Sequence, residues 1–382
     1  MRIWRFYLIA ALLLAAILAG PGFGSEPTAW KDIPRPDTEQ GLIYQPRLCS
    51  IKSRVHLLWA GTSAKVRKPE LYHTSISDGD DHLGTVRAPF FGSSLSRVRR
   101  ISVGNARDLL GILFQRATRQ GGSAYEIMLT ISGDQGWSFS RPYTIDSFVA
   151  ENEGGTWVAI DGREGTNRPE FAAAWAAENR TIRAANIDIK SNRRPRAASL
   201  GQHSPDCDKV EVASCGEAGF AVVWNGGGSL KTANIRPLTG GAGETDTLLK
   251  GNFGALFTVA GWPKGPAAAM AVEGGQARAL RYEHKWEDLG LADFPLSSSQ
   301  MECRSDLDDD KRLHVALYTG VEGGNKIYYI HQTEKGWSAP ELVMELVADL
   351  DCSGFDIAAS NDNLWIVASQ ANRFYMKTRK KG

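Results

Sequence analysis

The sequence predicts an all-β fold, a single β-propeller of seven four-stranded blades. Three observations lead to it: short apolar strands recur, turns rich in Gly, Asn and Asp separate them, and no helical period follows the first 24 residues. The most regular strand occurs seven times, about 46 to 61 residues apart, and four-stranded repeats of this size are typical of propeller blades. Its copies lie at residues 55–59, 110–114, 171–175, 220–224, 266–270, 313–317 and 364–368. Six blades remain the alternative, if the long second and third units hide a misaligned strand.

Each copy of that strand lies in the middle of a unit. A β-rich segment precedes it, as at residues 100–103, and a third strand follows it, as at residues 126–130 and 326–330. The seventh unit stops after its third strand, at residues 374–379, whereas residues 29–34 (AWKDIP) look like an isolated fourth strand. We therefore expect the two chain ends to share the last blade, because ring closure removes exposed sheet edges.

The N-terminal segment has the pattern of an export signal. Arg2 and Arg5 precede an apolar run at residues 6–19, and small residues follow it. The run is short of the roughly 20 residues that a membrane span requires. We therefore expect residues 1–24 to be a signal peptide and residues 25–382 to be one propeller domain. The mature chain is expected to be a soluble monomer, periplasmic or secreted, with no transmembrane segment.

Composition and charge exclude several function classes. The chain has 382 residues, 42% of them hydrophobic and 23% charged, as in an ordinary folded protein. Its net charge of +1 provides no global field to steer nucleic acid, so we expect no nucleic-acid partner. The acidic run at residues 306–310 lacks the glycine and terminal glutamate of a calcium loop and is interpreted as a turn. No Cys/His zinc spacing is present, so the sequence predicts no metal and no cofactor.

The five cysteines would lie in an oxidising compartment, where disulfides persist. Cys303 and Cys352 fall on first strands of neighbouring units, so a bridge between them would clamp blades six and seven. Cys49, on the first strand of unit one, is the competing partner for Cys352. Cys207 and Cys215 are too far apart for a bridge if one extended strand joins them.

One polar turn repeats with a recognisable pattern. Residues 132–142 read SGDQGWSFSRP, and residues 333–340 read TEKGWSAP at the same place in the sixth unit. In repeat register the turn joins the third strand to the outer fourth strand, and we expect Trp137 to pack between blades. The pattern Ser-x-Asp-x-Gly-x-Ser-aromatic is similar to the Asp-box of sialidases and related (BNR) propellers. Its positions are filled by Ser132, Asp134, Gly136, Ser138 and Phe139.

The resemblance implies that this turn is structural and lies on the face opposite the active site. Sialidases share an early Arg-Ile-Pro element, an Arg triad that pairs with the substrate carboxylate, an Asp acid/base and a Tyr nucleophile activated by Glu. The matching early segment here reads YQPRL, and its Arg47 is a candidate carboxylate ligand because a guanidinium fork suits that partner. Arg100 and Arg304 are further candidates on first strands. Glu302, beside Arg304, is interpreted as an ion-pair partner lining the channel, with a catalytic role as the alternative.

These patterns favour a binding or assembly module over an enzyme. No Tyr and Glu couple can be placed from spacing alone, so the catalytic residues of a sialidase remain unknown. The expected ligand is a protein partner or an acidic carbohydrate. The alternative is a glycoside hydrolase or lyase acting on an acidic sugar, and fold alone does not decide between them. Convergence of Arg47, Arg100 and Arg304 in a pocket with an acid and a Tyr would favour the enzyme.

Overall fold

The structure is a computed structural model that describes most of the chain after residue 28. The described residues are 29–35, 40–63, 69–90, 97–118, 124–149, 156–165, 168–190, 195–236, 242–263, 265–273, 276–293, 300–320, 324–334 and 336–381. They form 28 strands and two short 3-10 helices, Glu178–Arg180 and Gly216–Ala218, with no α-helix among them. None of the described helices has the length and apolar character to cross a membrane. The predicted signal peptide lies outside the described residues.

The strands form seven antiparallel sheets arranged as propeller blades, which confirms the predicted fold. The chain begins with β1 (Lys31–Asp32), which belongs to the last blade. Blade 1 contains β2 (Gln40–Ile51), β3 (Arg54–Ser63) and β4 (Glu70–Ser77). Blade 2 contains β5 (Val98–Ala106), β6 (Leu109–Ala117), β7 (Ala124–Ser132) and β8 (Tyr143–Val149). Blade 3 contains β9 (Val158–Glu164), β10 (Pro169–Ala176), β11 (Thr181–Ile187) and β12 (Ala198–Gln202).

The remaining blades follow in chain order. Blade 4 contains β13 (Val210–Ser214), β14 (Phe220–Asn225), β15 (Ser229–Ile235) and β16 (Ala242–Lys250). Blade 5 contains β17 (Phe257–Gly261), β18 (Ala267–Glu273), β19 (Gln276–Tyr282) and β20 (Trp286–Asp293). Blade 6 contains β21 (Gln300–Leu307), β22 (Leu313–Thr319), β23 (Lys326–Thr333), β24 (Gly336–Trp337) and β25 (Glu341–Glu345). Blade 7 contains β26 (Gly354–Ala359), β27 (Asn363–Gln370), β28 (Arg373–Lys380) and the incoming β1.

Two blades depart from the regular four-stranded pattern. Blade 1 has three strands, and where the others have an outer strand it has only an isolated bridge between His73 and Arg87. The outer strand of blade 6 is interrupted, because β24 and β25 both pair with β23. Successive strands run in opposite directions. The first-to-second and third-to-outer connections of every blade therefore lie on one face, which we call the turn face, and the opposite face is the far face.

The N-terminal strand closes the ring as the sequence predicts. Lys31 pairs with Thr378 and Asp32 pairs with Lys377, so β1 is the fourth strand of blade 7. The backbone N–H of Ile33 extends this ladder by donating to the Met376 carbonyl at 2.9 Å. Closure removes the free edge that β28 would otherwise present to a second chain.

The core lies in layers between neighbouring blades, and the second strands supply most of it. The side chains of β22 are buried along its whole length, as are those of β14. Four tryptophans are at most 1% exposed to solvent: Trp59, Trp175, Trp224 and Trp365. Large aromatic side chains remove roughly 150–250 Å² each from water. These tryptophans therefore hold neighbouring blades together.

The 132–138 turn connects β7 to β8 on the turn face and bonds to itself. Asp134 accepts from the Ser138 hydroxyl at 2.6 Å, from the Ser138 N–H at 2.8 Å and from the Ser132 hydroxyl at 2.8 Å. The hydrogen bonds from Ser138 lower the pKa of Asp134 to about 2. The prediction for Trp137 is wrong: its side chain is 64% exposed and lies at the surface under the Arg87 guanidinium instead of packing between blades.

The predicted disulfide is also wrong, since all five cysteines are free thiols. Cys303 packs into the apolar layer between blades 5 and 6, and Cys352 packs against the layer between blades 6 and 7. The two side chains thus face opposite sides of the blade 6 sheet. The Cys352 thiol donates to the Gly354 carbonyl at 3.3 Å and is directed away from Cys49 as well.

Candidate ligand-binding site in the central channel

The first strand of each blade lines the channel at the centre of the ring. Four first-strand residues hold equivalent positions, because each pairs with the fourth residue of the repeated segment in its own second strand: Arg47, Glu211, Arg304 and Asp356. We call these four the middle layer. Side chains on a strand alternate between faces, so the residue two positions earlier also faces the channel, nearer the far face. This upper layer contains Gln45, Trp157, Lys209 and Glu302, together with Arg100 of blade 2.

Arg47 is buried and holds three blades together. Its Nε donates to the Ile101 carbonyl of blade 2 at 3.2 Å. Its Nη1 donates to the Phe355 carbonyl of blade 7 at 3.2 Å and to the Pro46 carbonyl at 3.0 Å. Burial, followed by the neighbouring Arg304 charge, lowers the pKa of Arg47 to about 10. These donors are directed at fixed backbone oxygens, so the predicted carboxylate ligand is mainly a structural clamp in this structure.

Arg304 is held by two glutamates, as the ion-pair interpretation expected. Its Nη2 lies 2.8 Å from Glu302 and its Nη1 lies 3.1 Å from Glu211 of blade 4. Burial lowers the pKa of Arg304, but the two carboxylates outweigh it and the net pKa is raised. The Arg304 Nε is buried and has no hydrogen-bond partner, and the residue is only 7% exposed. One donor of this guanidinium therefore remains available.

The three arginines predicted from the sequence converge around Glu302. Burial alone would raise the pKa of Glu302, but the charges of Arg304, Lys209, Arg47 and Arg100 together lower it. Tyr318 lies opposite Glu302 in the β21–β22 ladder. Arg47 and Arg304 line the cavity at the centre of the ring, whereas Arg100, Glu302 and Tyr318 do not, so the convergence in one pocket that the enzyme alternative required is met only in part.

The Tyr318 hydroxyl is already engaged in the structure. It donates to Asn325 Oδ1 at 2.9 Å and accepts from the Cys352 N–H at 3.4 Å. Burial raises the pKa of Tyr318, which disfavours the ionised form that a nucleophilic tyrosine needs. Tyr318 therefore lies opposite Glu302, but its hydroxyl is not activated as a nucleophile.

Arg100 differs from the other cations of the upper layer. Its guanidinium pairs with the side-chain oxygen of Gln45, at 3.3 Å from Nε, in the orientation of that amide that satisfies both groups. Among the described residues it has no carboxylate partner. Arg100 is half-buried and leaves part of its charge open to the channel end.

Sequence reasoning missed two residues that organise this cluster. Lys209 is fully buried and donates to the carbonyls of Phe257 at 2.5 Å, Cys303 at 2.8 Å and Ala255 at 3.1 Å, which joins blades 4, 5 and 6. The Trp157 ring centroid lies 4.6 Å from the guanidinium carbon of Arg304. Lys209 and Arg100 also face this ring, at 5.6 and 5.7 Å. Their position two residues before the middle layer is the signal that could have identified Trp157 and Lys209.

Three aspartates tie neighbouring first strands together. Asp161 accepts from the Ser214 N–H at 2.7 Å, Asp306 from the Ala359 N–H at 2.8 Å and Asp356 from the Leu48 N–H at 2.9 Å. Burial raises the pKa values of Asp161 and Asp306 to about 7 each. Burial also raises the pKa of Asp356, against the charges of Arg47 and Arg304. These carboxyl groups hold neighbouring blades together and also line the central cavity.

The central cavity has a volume of about 240 Å³ and reaches toward the turn face. Arg47 and Arg304 line it, together with the three aspartates and turn residues such as Lys52 and Asn361. Arg100 and Glu302 do not line it, because they lie one layer closer to the far face. The predicted site residues thus divide between the cavity and the far-face end of the channel.

No protein-family model matches the chain, and no curated protein matches it. Solved structures match it over most of its length. The Trypanosoma rangeli sialidase is 13% identical with a TM-score of 0.51, over 92% of this chain and 59% of that one. A protein of unknown function from Dyadobacter fermentans is 12% identical with a TM-score of 0.53, over 94% and 99%. The chain therefore spans about three fifths of the sialidase.

A third match is a variant of the Aleuria aurantia lectin in complex with alpha-methyl-L-fucoside. It is 10% identical with a TM-score of 0.50, over 81% of this chain and 99% of that chain. At these identities the similarity shows the fold alone. The chain has the fold of a sialidase-like β-propeller, the class that its blades and closure define.

Proposed function

We propose that this chain is an exported propeller of the Asp-box type that binds an anionic ligand at the far-face end of its channel. Arg100, Trp157 and Glu302 form the site. The ligand is a carboxylate carried by an acidic sugar or by an acidic segment of a protein partner. The similar folds include a sialidase and a lectin in complex with a fucoside, which supports a carbohydrate as the carrier of the carboxylate.

The charge balance of the upper and middle layers carries the proposal. Four cationic side chains meet three carboxylates there, which leaves an excess of one positive charge: Arg47, Arg100, Lys209 and Arg304 against Glu211, Glu302 and Asp356. Arg47 and Lys209 donate to backbone carbonyls, and Arg304 is paired with carboxylates. Among the described residues Arg100 is bonded only to the neutral amide of Gln45, so it is the group that an incoming carboxylate would pair with.

Titration calorimetry on residues 25–382 tests this site. Glucuronate and a tetraglutamate peptide are titrated into the wild-type chain, into Arg100→Gln and into Arg141→Gln. Arg141 is an exposed arginine next to the 132–138 turn and serves as the matched control. We expect Arg100→Gln to weaken binding about tenfold, as expected for loss of a charge-assisted hydrogen bond, and Arg141→Gln to bind like the wild type. Equal binding by the wild type and Arg100→Gln would contradict the proposal.

A glycoside hydrolase or lyase acting on an acidic sugar is the second candidate. One observation favours it: the three arginines surround Glu302, and Tyr318 lies opposite that residue. The occupied hydroxyl of Tyr318 weighs against it. Assays on sialosides and uronides decide between the two, since turnover that is lost in Arg47→Ala would establish the enzyme and exclude the binding module.

Export is tested independently of ligand binding. The full chain is produced in a bacterium with a periplasm, and the protein in that compartment is sequenced from its N-terminus. We expect a mature protein that begins near Ser25. Protein found only in the cytoplasm with Met1 retained would overturn this part of the proposal. The same periplasmic extract provides a pull-down for a stable protein partner.

A further inference from the structure

A second cavity lies at the rim, between blades 5 and 6 on the turn face. Its volume is about 870 Å³, within the roughly 300–1,000 Å³ that small-molecule sites occupy. We call it the rim pocket. Its lining includes Arg281, Leu289, Lys311, Arg312 and Trp337. None of them belongs to the channel cluster.

An aromatic and an aliphatic side chain form the apolar part of the rim pocket. Trp337 is half-buried and packs part of its surface against the core between blades 5 and 6. Leu289, on the outer strand of blade 5, is 45% exposed. The remaining indole surface and Leu289 together offer a ligand an apolar wall. An indole anchored in the core is rigid, so ordering it on binding costs little entropy.

Two cations of the rim pocket have no partner among the described residues. Arg281 and Lys311 form no ion pair there, although Glu287 lies opposite Arg281 in the β19–β20 ladder. Arg312 differs, because it is paired with Asp310 at 2.6 Å. Arg281 and Lys311, beside a partly open indole, are therefore available to an anion, in a pocket that the carboxylates of Asp310 and Glu334 also line.

We propose that the rim pocket binds an acidic oligosaccharide, independently of the channel site. The apolar face of a sugar ring would lie on Trp337, and its carboxylate would pair with Arg281 and Lys311. Pairing of a guanidinium with a carboxylate is strong and directional, which gives selectivity for the acidic sugar over its neutral analogue.

The strand pairing around the rim pocket favours a saccharide over a peptide. A peptide that binds in extended form needs a free strand edge for its backbone. β23 already pairs with β22 on one side and with β24 and β25 on the other, and β19 pairs with β18 and β20. The recognition groups that remain in the pocket are side chains, which suit the hydroxyl, ring and carboxylate groups of a sugar.

Trigalacturonate, its neutral methyl ester and tetraglutamate are the probes of this proposal. Each is titrated into Arg281→Gln and Lys311→Gln, with Arg141→Gln as the control, and every variant is combined with Arg100→Gln so that binding at the channel site is equally weakened in all of them. We expect trigalacturonate to bind the control and to bind Arg281→Gln and Lys311→Gln at least about tenfold more weakly. The methyl ester and tetraglutamate should bind the control at least about tenfold more weakly than trigalacturonate.

Three results would overturn the rim-pocket proposal. The first is trigalacturonate affinity that is the same in Arg281→Gln, Lys311→Gln and the control. The second is a methyl ester that binds as tightly as the acid, which would show that the carboxylate is not recognised. The third is tetraglutamate that binds as tightly as the saccharide. Failure of the channel site leaves these measurements intact, since they are made with Arg100 already replaced.

Discussion

The same three residues, Gly-Trp-Ser, occur at two turns of the molecule, and the two turns have different surroundings. At residues 136–138 the turn of blade 2 contacts blade 1, and at residues 336–338 the turn of blade 6 contacts blade 5. Arg87 covers the indole of Trp137 with its guanidinium 4.2 Å from the ring centroid, and the cavity beside it is about 220 Å³. The rim pocket beside Trp337 is about 870 Å³.

The preceding blade, and not the sequence of the turn itself, thus determines whether a Gly-Trp-Ser turn is packed against its neighbour or borders a pocket. Among the described residues of blade 1 no regular outer strand follows β4, and the described segment after β4 brings Arg87 over the turn. Blade 5 has a complete outer strand, β20, whose Leu289 and Gly290 line the pocket, and Arg281 forms no ion pair among the described residues. One turn is therefore tightly packed against its neighbour and the other borders an open pocket.

The largest expected effect comes from filling the two glycines. A Cβ on Gly136, whose φ is +83°, would lie 2.3 Å from the His73 ring, whereas a Cβ on Gly336, at φ +127°, would meet nothing within 4 Å. We expect Gly136→Ala to cost roughly 2–5 kcal/mol of unfolding free energy through strain and overpacking, and Gly336→Ala about 1 kcal/mol through strain alone. Urea unfolding of both variants measures the difference. Equal losses would show that the first turn is not closely packed.

The second prediction concerns acid sensitivity of the packed turn. His56 Nδ1 and His73 Nε2 lie 3.0 Å apart beneath Gly136, and burial lowers the pKa values of the two histidines to about 3 and about 4. Their folded pKa values lie below the unfolded value of about 6.5, so protons bind the unfolded chain first as the pH falls. The unfolding free energy is therefore unaffected by these histidines above pH 6.5 and decreases as the pH falls toward 4. His56→Phe combined with His73→Phe should remove this loss.

The comparison between wild type and double variant isolates the histidines from other groups. Asp161 and Asp306, with pKa values raised to about 7, act in the opposite direction, because their contribution is lost as the pH rises from 4 through 7. Relative to wild type, the double variant should gain roughly 2.5 kcal/mol between pH 7 and about pH 5.5. The exposed His284→Phe is the control. A difference that is independent of pH would contradict the prediction.

The fold was largely predictable from the sequence, because blades repeat locally. Strand spacing identified the seven units, and the missing fourth strand of the last unit identified residues 29–34 as the closing strand, which β1 confirms. Residue 87 could not be placed, because its pairing with His73 follows from an irregular segment and not from a period.

The candidate site was only partly predictable. Arg47 was proposed from the resemblance of its segment to the early Arg element of sialidases, and Arg100, Glu302 and Arg304 were proposed as residues of first strands. Their partners are backbone carbonyls and carboxylates of other blades, and Arg47 alone bonds to residues 54 and 308 positions away. Contacts of that separation leave no local pattern. The disulfide expectation failed for the same reason, since strand order does not reveal to which side of the sheet each cysteine is directed.

A third prediction compares the acidic residues of the two turns. Asp134 accepts three hydrogen bonds from Ser132 and Ser138, whereas Glu334 is exposed at the corresponding place of the second turn. We expect Asp134→Ala to cost about 1–2 kcal/mol of unfolding free energy and Glu334→Ala less than about 0.5 kcal/mol. Unfolding midpoints at pH 7 measure both. A neutral Asp134→Ala would show that the turn does not depend on its own hydrogen bonds.

The smallest expected effect is removal of the covering arginine. Arg87 Nη1 donates to the Trp137 carbonyl at 3.1 Å and stacks on the same residue, but both contacts lie at the surface, where water competes. An exposed cation–π contact contributes about 0.5–1 kcal/mol, so Arg87→Ala should lower the melting temperature by only about 1–2 °C. The turn keeps its backbone bridge between His73 and residue 87, because that bridge needs no side chain. If Arg87→Ala instead destabilised the chain as much as Gly136→Ala, the guanidinium would be what holds blade 1 against the turn, and the absence of such a residue among the described neighbours of Trp337 would account for the open rim pocket.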